Sequence, residues 1–137
     1  LGAPIGSVLV GSSSLIAQAH RWRKMFGGGM RQAGMLAAAG LHALDHHVER
    51  MAEDHARAKR LASAINDIDG FTVDLSTVET NMVYFDSTIP ATEVMEALGT
   101  SGVDVLDIGP HSCRIVVHLH VTDEDVDQVI QIFGSLR

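Results

Sequence analysis

Arg114 stands in the run Cys113-Arg-Ile-Val-Val, a cation set among β-branched residues. An arginine keeps its charge in any fold and must meet a carboxylate, a phosphate or water. Its planar fork of donors matches a carboxylate through two parallel hydrogen bonds. The residues alone leave two readings open: recognition of a carboxylate, or an edge-strand arginine turned to solvent. A second concentration of charge lies between Arg21 and Gln32. Arg21, Arg23, Lys24 and Arg31 crowd around Gly27-Gly28-Gly29, beside the single tryptophan, Trp22. A glycine-rich turn ahead of a helix brings backbone N–H groups close to an anion, and Lys24 and Arg31 flank this one. It lacks the Gly-Lys-Ser/Thr ending of a nucleotide P-loop. A basic helix end followed by a flexible loop accounts for the same residues equally well.

Histidines form the third set: His42, His46, His47 and His55, then His118 and His120. His42 and His46 are four apart and share a helix face. Metal sites need converging ligands with support behind them, and neither a His-Glu-x-x-His motif nor a cysteine pair is present, so surface histidines are the simpler account and no metal is expected. No Gly-x-Ser-x-Gly elbow occurs, and Cys113 lies inside a β-leaning run without a partner, so a nucleophile is not expected.

Composition narrows the class. The chain has 137 residues, 46% hydrophobic and 20% charged, with a formal net charge of -7. That length supports a real core. The acidic balance argues against nucleic acid, whose binding relies on excess Lys and Arg. Charges recur too often for a membrane span of about 20 apolar residues. One cysteine excludes an internal disulfide and fits a reducing cytoplasm. The chain begins at Leu1 rather than Met, as an interior piece of something longer would.

The elements that must position these residues follow from periodicity. Ser7–Val10, between two glycines, reads as a strand. Ser12 to Ser14 suit a helix cap, and Leu15, Ala19, Trp22 and Phe26 recur at helical spacing until the three glycines. A second helix is expected over Met30–Leu44. From Asp45 the apolar positions Val48, Met51, Ala52, His55, Ala58, Ala62 and Ile65 mark one face of a long amphipathic helix ending near Gly70. Phe71–Asp74, Met82–Phe85, Val103–Leu106 and Arg114–Leu119 read as strands, with helices over Ala91–Leu98 and after Thr122. The second half is thus β-β-α-β-β-α, an α/β unit with its own core. The first half has too little strand for its helices, as if it finished a larger sheet domain.

Taken in order, Leu-Gly-Ala-Pro-Ile-Gly-Ser-Val-Leu-Val-Gly (1–11), Arg-Trp-Arg-Lys-Met (21–25), Gly-Gly-Gly-Met-Arg-Gln (27–32), Leu-Ala-Ala-Ala-Gly-Leu (36–41), Glu-Asp-His-Ala (53–56), Thr-Asn-Met (80–82) and Arg-Ile-Val-Val-His-Leu (114–119) resemble the L-threonine aldolases of low specificity. The resemblance covers essentially the whole chain, and the run from Arg21 to Gln32 is its most specific part. It implies the C-terminal part of a fold type I, aspartate-aminotransferase-like pyridoxal-phosphate (PLP) enzyme. Residues 1–44 would end the large PLP-binding domain, 45–69 form a connecting helix, and 70–137 make a small α/β domain. In that family the cofactor lysine sits in a Ser-Lys-Gly segment just before the Leu-Gly-Ala-Pro stretch. The resemblance therefore places that lysine upstream of Leu1, and Lys24 matches a different family lysine.

Carried over residue by residue, Arg114 would bind the substrate α-carboxylate. Lys24 and Arg31 would line the site near the cofactor phosphate, supplied across a subunit boundary. Departures are modest: His42 stands for an aromatic, Val117 for Thr and His120 for Asp. The implied reaction is PLP-dependent cleavage of L-threonine or L-allo-threonine to glycine and acetaldehyde, in a cytoplasmic homotetramer. These 137 residues alone are not expected to catalyse it without the N-terminal part of the same enzyme. The alternatives are another PLP-dependent β-eliminating lyase, or a non-catalytic ligand-binding module.

Overall fold

The computed structural model describes residues 1–136, and the chain divides into two compact units, Leu1–Val48 and the residues from Glu49 onward.

In the first unit, α1 spans Ser13–Met25 and α2 spans Gly34–His46. The Ser12 side chain accepts from the Leu15 N–H at 3.3 Å, satisfying one free donor of the first turn of α1. Arg23 and Lys24 occupy the last turn of α1, where cations offset the partial negative charge of the helix end. The strand expected over Ser7–Val10 does not form. These residues pair with nothing and are exposed, Val8 at 83% and Val10 at 81%. The reason is physical: a strand needs a neighbour for its backbone groups, and this unit contains no other strand.

The second unit begins with α3, Met51–Asn66. The long helix expected from Asp45 is thus interrupted, because α2 runs to His46 and a turn over residues 47–50 separates the two. Neither Gly nor Pro lies in that turn, so the pattern carried no stop signal. Then follow β1 (Phe71–Thr72), β2 (Met82–Ser87), α4 (Ala91–Gly99), β3 (Leu106–Gly109), β4 (Ser112–Val116) and α5 (Asp123–Ser135). The β-β-α-β-β-α order is as expected from the sequence, but β3 starts three residues later and β4 stops sooner. The tight Pro110–His111 connection sets the first shift. The second arises because the Asn81 side chain takes the Val117 carbonyl at 2.6 Å, closing the end of the ladder.

The four strands make one antiparallel sheet in the order β1-β2-β4-β3. Alternation along β2 and β4 gives the sheet two unlike faces. Val83, Phe85, Cys113 and Ile115 turn inward and join Ala58, Leu61, Ala62 and Ile65 of α3, Val94 and Leu98 of α4, and Val126 and Phe133 of α5 in one core. Phe71, Phe85 and Phe133 meet edge to face with centroids 5.2 to 5.8 Å apart, a geometry favoured by the ring quadrupoles.

Charge ties α5 to α3. Arg57 Nε donates to Asp123 at 3.0 Å, and Arg60 pairs with Asp127. Thr122 and Asp125 form a reciprocal capping box at the start of α5. Asp54, buried on α3, accepts two bonds from Arg50 at 2.7 and 3.1 Å. A buried carboxylate needs such partners.

Candidate active-site face

The other sheet face carries none of this unit's helices and holds Arg114. Strand β4 lies between β2 and β3, so the edge-strand reading of Arg114 is set aside. The register places Arg114 opposite Tyr84 on β2 and opposite Leu106 on β3. The Val117 N–H donates to the Asn81 carbonyl at 2.8 Å and the Ser87 N–H to the His111 carbonyl at 2.8 Å. These bonds fix the alternation: 82–116, 84–114 and 86–112 are the pairs without backbone bonds between them, whose side chains approach most closely.

Arg114 is half-buried, and its Nε is fully enclosed without a hydrogen-bond partner. A buried donor left unmade costs about 1–3 kcal/mol. Arg114 also makes no ion pair among the described residues, whereas Arg50, Arg57 and Arg60 all do. Around it the face is apolar, with Met82, Tyr84, Leu106 and Val116 each 36 to 48% exposed. The only carboxylate of β2 on this face, Asp86, is turned to Ser112, whose hydroxyl donates to it at 2.5 Å. The result is a fixed, uncommitted guanidinium on a largely apolar floor. The fork of such a guanidinium can take a carboxylate through two parallel hydrogen bonds.

Lys24 and Arg31 belong to the first unit. After α1 the chain turns at Gly27, whose φ of +85° suits glycine alone, and the Gly28 N–H donates back to the Arg23 carbonyl at 2.8 Å. A Cβ at Gly29 would lie 2.6 Å from Lys24 Nζ, the far end of a flexible side chain that folds over the turn. Gln32 continues in the left-handed region at φ 50°, an uncommon conformation for a residue with a side chain. The Lys24 and Arg31 side chains are exposed and make no hydrogen bond or ion pair among the described residues. The two exposed cations flank this glycine turn in the sequence. The only other lysine, Lys59, is exposed on α3.

The histidines do not converge on a metal. His42 and His46 stack at 4.2 Å, His47 meets His42 edge-on at 5.3 Å, and one nitrogen of His46 is engaged with the His42 carbonyl at 3.0 Å. Among the described residues no three His, Cys, Asp or Glu side chains form a metal-binding group. Cys113 points into the core, and burial, with Asp107 nearby, pushes its thiol above the ordinary range, away from a nucleophile. No helix among the described residues is long and apolar enough to cross a membrane. Sequence reasoning missed Tyr84, Asp86 and Ser112 as neighbours of Arg114. Alternation marks them as sharing a face within each strand, but only the register puts them beside the arginine.

The family model described as "Beta-eliminating lyase" matches residues 1–88. A probable low-specificity L-threonine aldolase of Arabidopsis thaliana is 42% identical over 99% of this chain and 39% of its own length. The low specificity L-threonine aldolase of Escherichia coli K12 is 39% identical over 94% of this chain and 38% of its own. The chain thus spans about two fifths of the length of the curated relatives it matches. Among solved structures, a putative L-allo-threonine aldolase from Listeria monocytogenes EGD-E superposes with a TM-score of 0.63 at 16% identity, over 91% of this chain and 38% of that one. A C-DES mutant with glycine covalently linked to its PLP cofactor superposes with a TM-score of 0.61 at 18% identity, over 75% of this chain and 28% of that one. These likenesses show the fold, that of fold type I PLP enzymes.

Proposed function

The chain belongs to the beta-eliminating lyase family, and on that premise we propose that the complete protein carrying it is a PLP-dependent aldehyde-lyase that cleaves L-threonine or L-allo-threonine to glycine and acetaldehyde. The observation that carries this reading is Arg114, a half-buried guanidinium with an unpartnered Nε on an apolar sheet face.

Arg114 binds the substrate α-carboxylate through its fork and fixes the direction of the Cα–Cβ bond. Positioning of this kind supplies rate by holding a reactive geometry. The surrounding Met82, Tyr84 and Leu106 limit water at the guanidinium and strengthen its attraction for the carboxylate. Lys24 and Arg31 would hold the cofactor phosphate. When bound, PLP supplies the electron sink for the bond that breaks. The lysine that attaches the cofactor belongs, in this reading, to the remaining part of the enzyme. A cytoplasmic location and a homotetramer complete the proposal; the single, buried, unpaired Cys113 accords with the first.

Product analysis tests it. L-threonine is expected to give acetaldehyde and glycine in equal amounts. Pyruvate and ammonia from serine or a cysteine derivative, with no acetaldehyde from threonine, would instead assign another β-eliminating lyase. Absence of both activities would favour a non-catalytic module.

A further inference from the structure

We propose that Ser112 is a positioning residue that keeps Asp86 from neutralising Arg114, and that Asp86 and Ser112 together set how tightly the site takes a carboxylate. The inference rests on the reading of Arg114 as the carboxylate-binding group and deepens it.

Asp86 and Ser112 face each other across β2 and β4, one pair along from Tyr84 and Arg114. Both pairs lie on the open face and lack backbone bonds between their members, so all four side chains crowd together. A diagonal neighbour in an antiparallel pair lies about 7–8 Å away, within reach of a long side chain. Arg114 is therefore placed to take Asp86 as its counter-ion, and on an apolar face it has every electrostatic reason to do so. Yet no such ion pair exists. Asp86 is instead bound at 2.5 Å by the Ser112 hydroxyl, a short charge-assisted bond of the strong kind. Arg114 is unpaired while the one carboxylate of β2 on this face is turned to Ser112, which holds its Oδ1. Tyr84 closes the opposite route: it fills the position directly across from Arg114 with a ring whose hydroxyl is engaged with Met82 Sδ at 3.5 Å.

Loss of the Ser112 hydroxyl frees Asp86 to swing to Arg114, where it competes with the incoming carboxylate. An exposed ion pair is worth little, so the competition weakens binding about two- to fivefold. The cost falls on binding and leaves the chemical step alone, because Ser112 touches no reacting atom in this arrangement.

The test uses the complete, cofactor-loaded protein. Two quantities are read: the dissociation constant for glycine, from the absorbance of the bound cofactor, and KM and kcat for threonine. Ser112→Ala is expected to weaken glycine and raise KM by that factor, with kcat unchanged. Ser112→Thr, which keeps a hydroxyl, is expected to behave as the parent. Asp86→Asn alone is expected to bind glycine at least as tightly as the parent, and Ser112→Ala/Asp86→Asn to recover that affinity. A double variant as weak as Ser112→Ala would show a merely structural effect and overturn the inference, as would an unchanged Ser112→Ala. Arg114→Ala is the control that separates the two ideas. Strong loss of glycine in Arg114→Ala with an unaffected Ser112→Ala removes this inference alone. An unaffected Arg114→Ala removes the carboxylate reading and this inference with it.

Discussion

The Nε of Arg114 is an enclosed donor without a protein acceptor, which is rare because buried polar groups are nearly always hydrogen-bonded. Lys24 and Arg31 present a different case: both are exposed, so water satisfies them, and their significance lies in the glycine turn that brings Lys24 Nζ over Gly29. If the pair holds a phosphate, each contributes a charge-assisted contact. Lys24→Ala is then expected to raise the dissociation constant of PLP about tenfold, measured by equilibrium dialysis, with little change in KM for threonine at saturating cofactor. An unchanged PLP affinity would remove Lys24 from the phosphate site. At this scale much was readable. An arginine inside a Val/Ile run and a basic Gly-Gly-Gly turn declare unusual demands by type alone. Asp86 and Ser112 were not readable, since 26 positions separate them and only strand register joins them.

Helix α5 shows how an element is fixed at both the cap and the flank. Its Thr122–Asp125 box satisfies first-turn donors, and Arg57 of α3 grips Asp123 at the same end. The backbone N–H and hydroxyl of Thr122 hold the Asp125 carboxyl below the ordinary range, and the hydrogen bond from Arg57 does the same for Asp123. A carboxyl lowered on folding stabilises the fold above its unfolded value and loses that contribution as pH falls through the lowered folded value. Both groups therefore act above about pH 4 and fade below it. In urea titrations between pH 2 and 6, Asp123→Asn is expected to flatten the acid limb of the stability curve; a limb as steep as the parent's would exclude Asp123 as its source. Thr122→Ala is expected to cost about 1 kcal/mol at neutral pH. The helices were legible from their apolar stripes and from the Thr-Asp-Glu-Asp start of α5. The strand limits were less so, because β3 and β4 are trimmed by a tight turn and by the Asn81 side chain, neither of which has a hydrophobic period.

The two units differ in how fully their sequences are satisfied. From Glu49 onward, a sheet and three helices share one core, and the α/β pattern seen in the sequence is met almost element for element. Before it, Ala43 is the only fully buried residue, and Val8, Val10, Phe26 and Met35 are more than four-fifths exposed. Ser7–Val10 has the composition of a buried strand and nothing to pair with, which is why a local reading of its residues failed here. The chain matches about two fifths of its relatives' length, and its first unit is the sparsely buried one. At that scale the central claim is that Arg114 receives the carboxylate of a β-hydroxy amino acid. Steady-state cleavage of L-threonine by Arg114→Ala in the complete, PLP-loaded protein tests it most directly. KM is expected to rise about tenfold to a hundredfold while the absorbance of bound PLP stays as in the parent; an unchanged KM would contradict the role of Arg114.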